Sequence, residues 1–310
     1  MRRVLAALSR RVGLRVPLLL LQQLLPAAVA AASAVHDFCG RSTPLTAGQQ
    51  DRLLRFAAIV RAELDRQGPA AVLIARSGLD LSRFGLRYSH AGLALSDGAG
   101  SAWAVRQLYY ACDEGRPRLF DQGLAGFVAG SSDPERGFVS LLLLPPGAAA
   151  ALARTALDRP RALRLLAERY SANAHAWSLR YQNCNQWLVE LLAASEGALA
   201  DGPDLRARAQ DWLRQAGYRP TAVDAGSHLL MFAAGFVPWL RLDDRPEEER
   251  YSLTFQLTLP RSLEAFARQR WPESRRIALC HAGDRVLVRR GWAPLPEDCS
   301  AGPGDEVRTL

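Results

Sequence analysis

The chain has 310 residues, 49% of them hydrophobic and 23% charged, a balance that excludes a disordered or fibrous protein and allows a sizeable core. All of its basic side chains are arginine, and five of them fall in the first fifteen residues, so the formal net charge of +8 less those 5 leaves +3. That residue of charge, spread over the whole chain, removes the main support for a nucleic-acid-binding reading.

Arg2, Arg3, Arg10, Arg11 and Arg15 precede an apolar run from Val16 to Leu21 and an alanine-rich stretch from Leu24 to Ala34. A basic head, an apolar middle and a small-residue exit predict a secretory signal over residues 1–34, cleaved after Ala34 or near Ala28 to Ala30. Gln22, Gln23 and Pro26 interrupt the run before it reaches the about 20 residues that a span needs, so no stable membrane span is expected after cleavage. "VHDF" before Cys39 lacks the small apolar residues of a lipid-anchoring signal. The expected location is the bacterial periplasm or the exterior.

An exported chain can pair its cysteines, and five leave one over. No two lie at the short spacing of a zinc ligand pair. Cys280 and Cys299 bracket a hairpin-like stretch and are the expected disulfide. Cys39 with Cys112 is the weaker pairing, which makes Cys184 the free thiol.

Along the chain, Leu53, Phe56, Ala57, Val60 and Leu64 recur at helical spacing between Gln49 and Gln67, before Gly68-Pro69. "AAVLIARSG", "LRYSHAGLALSDG" and "SAWAVRQLYYACDEG" read as three strands of an antiparallel meander. A helix is expected from Leu119 to Ala129, a strand at "GFVSLLLLPPG", and helices from Ala148 to Arg169. "AHAWSLRYQN" alternates like a strand and delivers the chain to Cys184, where Asn183 is placed to cap a helix bearing Trp187, Leu188, Leu191 and Leu192. A helix from Asp204 to Ala216, a strand over 251–259, a helix over 261–270 and a hairpin over 276–290 complete the reading. The predicted fold class is α+β: a core over 35–220 and a C-terminal extension over 221–310 packed on it.

A helix N-terminus favours a thiolate, because unpaired amides and aligned peptide dipoles face it, and Cys184 occupies that place. A nucleophile needs a base. His90 opens a predicted strand, and the small Ala91 and Gly92 after it leave room around its ring. His175, nine residues before Cys184, is the second candidate. On the strand after His90, Gln107 is the side chain able to hold an imidazole in one tautomer. The Cys184 N–H with the Gln182 side chain is the expected oxyanion hole. Against this stands the plain alternative of a buried sulfur and a structural histidine.

"LTAGQQDRLLRFAA", "ARSGLDLSRFGLRYSHAGLAL", "WAVRQLYYACDEGRPRLFDQGLAGF", "YSANAHAWSLRYQNCNQWLVELLA" and "CHAGDRVLVRRGW" resemble the secreted bacterial family known as domain of unknown function 2145. More distantly, a histidine-glycine strand followed by an asparagine-cysteine helix is similar to circularly permuted NlpC-like, papain-like hydrolases and to lecithin retinol acyltransferase relatives. That resemblance implies a papain-like antiparallel sheet packed with helices, with Cys184, His90 and Gln107 as nucleophile, base and orienting group. Gln107 stands where those relatives show histidine or an acidic residue. The implied activity is thiol hydrolysis or acyl transfer on a peptide, a cell-wall peptide or a lipid, with no metal or cofactor. The alternative is a non-catalytic binding or scaffold module that keeps the cleft.

Overall fold

The computed structural model describes residues 44–96, 102–131 and 133–310, so the expected signal segment 1–34 and Cys39 lie outside the described residues. Thr46 caps α1 (Ala47–Gln67): its hydroxyl accepts the Gln49 N–H while the Gln49 side chain accepts the N–H of Thr46. The helix stops at Gly68, whose φ of 63° is a conformation that a side chain would strain. The predicted stripe Leu53, Phe56, Ala57, Val60 and Leu64 is its buried face.

β1 (Ala71–Arg76), β2 (His90–Leu95), β3 (Ala104–Ala111) and β4 (Arg116–Gly123) form the meander. α2 (Leu124–Ala129) leads to β5 (Arg136–Leu143), which pairs with the free edge of β1. α3 (Pro146–Leu157) and α4 (Arg159–Arg164) precede a short parallel pair, β6 (Arg169–Tyr170) and β7 (Tyr181–Gln182). Then come α5 (Cys184–Glu196) and α6 (Leu205–Gln215). β8 (Thr221–Asp224) pairs with β9 (Thr254–Leu257) around α7 (His228–Ala234). α8 (Pro260–Arg270), β10 (Arg275–Ala282), β11 (Arg285–Arg290) and β12 (Glu306–Thr309) end the chain.

Eight strands make one antiparallel sheet in the order β12-β11-β10-β5-β1-β2-β3-β4. Alternation along the strands sends Val72, Ile74, Ala94, Val105, Leu141 and Leu279 to one face, where they pack with Phe56, Val60 and Leu64 of α1 and Phe127 of α2. Leu73, Ala75, Ala91 and Leu142 point the other way and meet Leu188 of α5 and Leu263 of α8. The result is a sheet with helices on both faces.

Three expectations are corrected. The segment 221–310 is no appendage, because β10 pairs with β5 along its whole length and supplies, with β11 and β12, three of the eight strands. Residues 119–123 belong to β4, paired opposite β3, rather than to a helix. "AHAWSLRYQN" is mostly turns: the carbonyls of His175, Ala176 and Ser178 accept from the Gln186 amide and those of Ser178 and Leu179 from Arg206, so side chains replace a ladder partner.

Candidate active site

Asn183 fixes the start of α5. Its Oδ1 accepts the N–H of Asn185 at 3.0 Å and of Gln186 at 2.8 Å, and the Gln186 side chain accepts the Asn183 N–H in return. Cys184 is therefore the first helical residue, and it is the free cysteine among the described residues. Asn185 Nδ2 donates to the carbonyl of Ser89 at 3.1 Å, which pins this first turn to the residue preceding His90.

His90 opens β2 directly opposite Arg76, the last residue of β1. Gly92, expected to leave space around the imidazole, instead admits β3: a Cβ there would lie 2.6 Å from Val105 Cγ1 and 3.1 Å from the Arg106 carbonyl. That close approach seats Gln107 beside the ring. His90 Nε2 bonds Gln107 Oε1, and Gln107 Nε2 donates to Gln122 Oε1 at 2.8 Å. Because the amide oxygen of Gln107 can only accept, the ring proton sits on Nε2 and the lone pair on Nδ1.

The ring of His90 lies 5.8 Å from that of Phe127, on the α2 side of the sheet, whereas α5 packs on the opposite side. His90 and Cys184 thus belong to elements on opposite faces of the sheet, and what ties those elements together at the start of β2 is the bond from Asn185 to Ser89. Among the described residues no hydrogen bond joins them; they share neighbours. Burial pushes the Cys184 thiol up to about 11, against the opposing pull of Arg76, of the Asn185 and Cys184 N–H groups and of the Tyr170 hydroxyl. Burial, with the Arg76 charge second, pulls the His90 imidazole down to about 3, despite its bond to Gln107. At neutral pH the resting groups are a thiol and a neutral imidazole, both partly exposed.

Arg76 and Tyr170 are the site groups that sequence reasoning missed. Arg76 left a trace, since it is the one charge in the otherwise apolar strand "AVLIAR". Tyr170 stacks on Tyr110 with ring centroids 4.9 Å apart and left none, being joined to Cys184 only by tertiary folding.

Two expected roles do not survive the geometry. Gln182 is fully buried, and its amide nitrogen spends both hydrogens on the Leu165 carbonyl and Glu190 Oε2, at 2.8 and 2.6 Å, so it has none for an oxyanion. His175 sits in the turns before β7, where its Nδ1 accepts the Trp177 N–H at 3.3 Å and its Nε2 faces Glu249 at 3.5 Å. Both ring nitrogens are turned to those groups, and burial lowers its basicity.

Cys280 and Cys299 are joined by a disulfide, a bond that fits an oxidising compartment. Cys112 is also disulfide-bonded, and the partner expected for it, Cys39, lies outside the described residues. Among the described residues no helix is long and apolar enough to cross a membrane.

The chain belongs to the bacterial family described as "Uncharacterized protein conserved in bacteria (DUF2145)", whose sequence model matches residues 63–267. The match takes in Arg76, His90, Gln107, Tyr170 and Cys184. No curated protein and no solved structure matches the chain.

Proposed function

We propose that this member of the family is an exported, papain-like cysteine hydrolase or acyltransferase that acts on an amide or ester of a peptide, a cell-wall peptide or a lipid. Cys184 is its nucleophile, His90 its base and Gln107 the group that orients the base. The observation that carries the reading is the bond between Asn185 and the Ser89 carbonyl, which ties the cysteine-bearing helix start to the histidine-bearing strand start. A thiol near 11 and an imidazole near 3 form no resting ion pair. Proton transfer to His90 Nδ1 therefore accompanies attack of the sulfur on the carbonyl carbon, as general-base catalysis requires. The Asn185 N–H is held by the Asn183 cap, so the N–H of Cys184, which faces the sulfur, is the backbone donor available to the carbonyl oxygen.

The experiment is a panel of thiol-reactive amide and ester probes on the folded, purified protein. Acylation of Cys184 is expected, absent in Cys184→Ala and slower by about a hundredfold or more in His90→Ala. Equal rates with and without His90 remove the catalytic pair.

A second reading, a periplasmic binding or scaffold module without catalysis, is favoured by the neutral resting states and by the placement of His90 and α5 on opposite sides of the sheet. It expects no probe to acylate Cys184 faster than free cysteine.

A further inference from the structure

Arg76 is a cation with a built seat and no carboxylate partner among the described residues. Its guanidinium donates to the carbonyls of Ser77, at 3.3 Å, and Gly130, and lies 5.3 Å from the centre of the Phe127 ring. Two glycines make that seat. A Cβ at Gly130 would come within 2.6 Å of Nη2, and one at Gly78 within 2.9 Å of Nη1. The Nε–H is buried and has no hydrogen-bond acceptor. Arg206, Arg276 and Arg289 are also bound to the fold and have carboxylates in Glu190, Glu264 and Asp305, whereas Arg161 and Arg245 rest, like Arg76, on backbone carbonyls; what sets Arg76 apart is its place opposite His90 at the end of β1. A guanidinium drawn out of water is costly unless an anion answers it. The groups its charge reaches are Cys184, Tyr109 and His90.

We propose that Arg76 is the specificity residue of the site and takes a carboxylate of the ligand, so that the preferred acyl donor carries a free carboxylate close to the carbonyl that Cys184 attacks. The inference rests on the thiol site proposed above. A carboxylate suits the planar fork of donors, and it neutralises the charge that otherwise opposes protonation of His90.

Paired alkylating agents test it on the full exported chain at pH 8.5. Iodoacetate and iodoacetamide form the same sulfur–carbon bond, expel the same iodide and release the thiol proton, but only one carries a carboxylate. The ratio of their rates at Cys184, divided by the same ratio for free cysteine, is expected to be about ten in the native protein and to fall to about one in Arg76→Gln. His90→Ala should leave the ratio unchanged whatever it does to the rates, so a failure of the catalytic pair is read separately. If Arg76→Gln slows both reagents equally, Arg76 serves only the sulfur and the proposal is overturned; a native ratio of one, or no labelling by either reagent, overturns it too. Should that variant fail to fold, the native protein decides: acetate must protect Cys184 from iodoacetamide and acetamide must not.

Discussion

His90 and Gln107 are bonded through Nε2 and Oε1, and the second bond from Gln107 to Gln122 fixes which end of the amide faces the ring. The tautomer of the histidine is thus set by a side chain two strands away. Replacing Gln107 by Leu leaves the shape nearly filled but strips the acceptor from a buried N–H and the donor from Gln122. The expected cost is about 1–3 kcal/mol of stability. A mixed tautomer should follow, read from the ring nitrogen shifts of His90 by NMR. An unchanged Nε2–H spectrum in Gln107→Leu would show that something else holds the ring.

Cys184 provides a pH test with a definite sign. Its thiol is held near 11, so the reactive thiolate is scarce until the pH approaches that value. Its alkylation by iodoacetamide should still be rising at pH 10 and, at pH 7, should run about a hundredfold slower than that of a thiol of ordinary pKa near 9. The same shift makes a linkage statement. A group whose folded pKa is raised keeps its stabilising contribution below the unfolded value and loses it as the pH climbs through the folded one. Native Cys184 protein should therefore lose stability between about pH 9 and 11 relative to Cys184→Ala. A plateau of alkylation by pH 8 contradicts the burial argument.

How much of this was legible before folding differs element by element. The stripe on α1 and the Asn183 cap were plain, because each is a local pattern in which residues three and four apart meet. The hairpin of β10 and β11 was also plain, since apolar runs flank the Gly283-Asp284 turn. What stayed hidden is non-local. Nothing near residue 275 says that β10 will slot between β11 and β5. Gln182 and Gln186 look alike as polar residues around a cysteine, yet one is spent on Leu165 and Glu190 and the other on a turn ten residues back. Their partners, not their identities, decide their roles.

Glu63 tests a different kind of burial. Its carboxylate is wholly shielded and receives Arg66 at 2.6 Å, Arg290 at 3.0 Å and Arg308 at 2.5 Å, which ties α1 to β11 and β12. Removing it leaves three guanidinium groups facing each other, two of them able to swing into water because they are nearly half exposed. Glu63→Ala is expected to cost about 3 kcal/mol, at the low end for a buried pair broken on one side. Arg66→Ala, which leaves two partners in place, should cost under about 1 kcal/mol. Urea unfolding of the three proteins separates these values, and equal costs would mean that the cluster does not act as one unit.

His281 is buried inside β10, its ring 4.7 Å from that of Phe56 and with neither nitrogen hydrogen-bonded. Gly137 opposite it leaves the room, since a Cβ there would lie 2.8 Å from Nε2. Burial pulls the imidazole down to about 4, with Arg52 lowering it further while Asp133 and Glu135 oppose. A folded pKa below the unfolded one means that the unfolded chain takes up the proton first, so stability is complete above about pH 6.5 and drains away as the pH falls towards 4. About 3 kcal/mol is at stake over that window. His281→Leu has no proton to take up and no unsatisfied nitrogen to bury, so it should be more stable than the native protein at pH 4.5 and should flatten the acid limb of the stability curve. His90 falls in the same sense, so part of the acid loss must remain in that variant and shrink further when both histidines are replaced, His175 and the ion-paired carboxylates supplying the rest. Thermal unfolding from pH 4 to 8 of the native protein, His281→Leu and the double variant measures the two contributions. A native curve with no acid slope would mean that water reaches these rings after all.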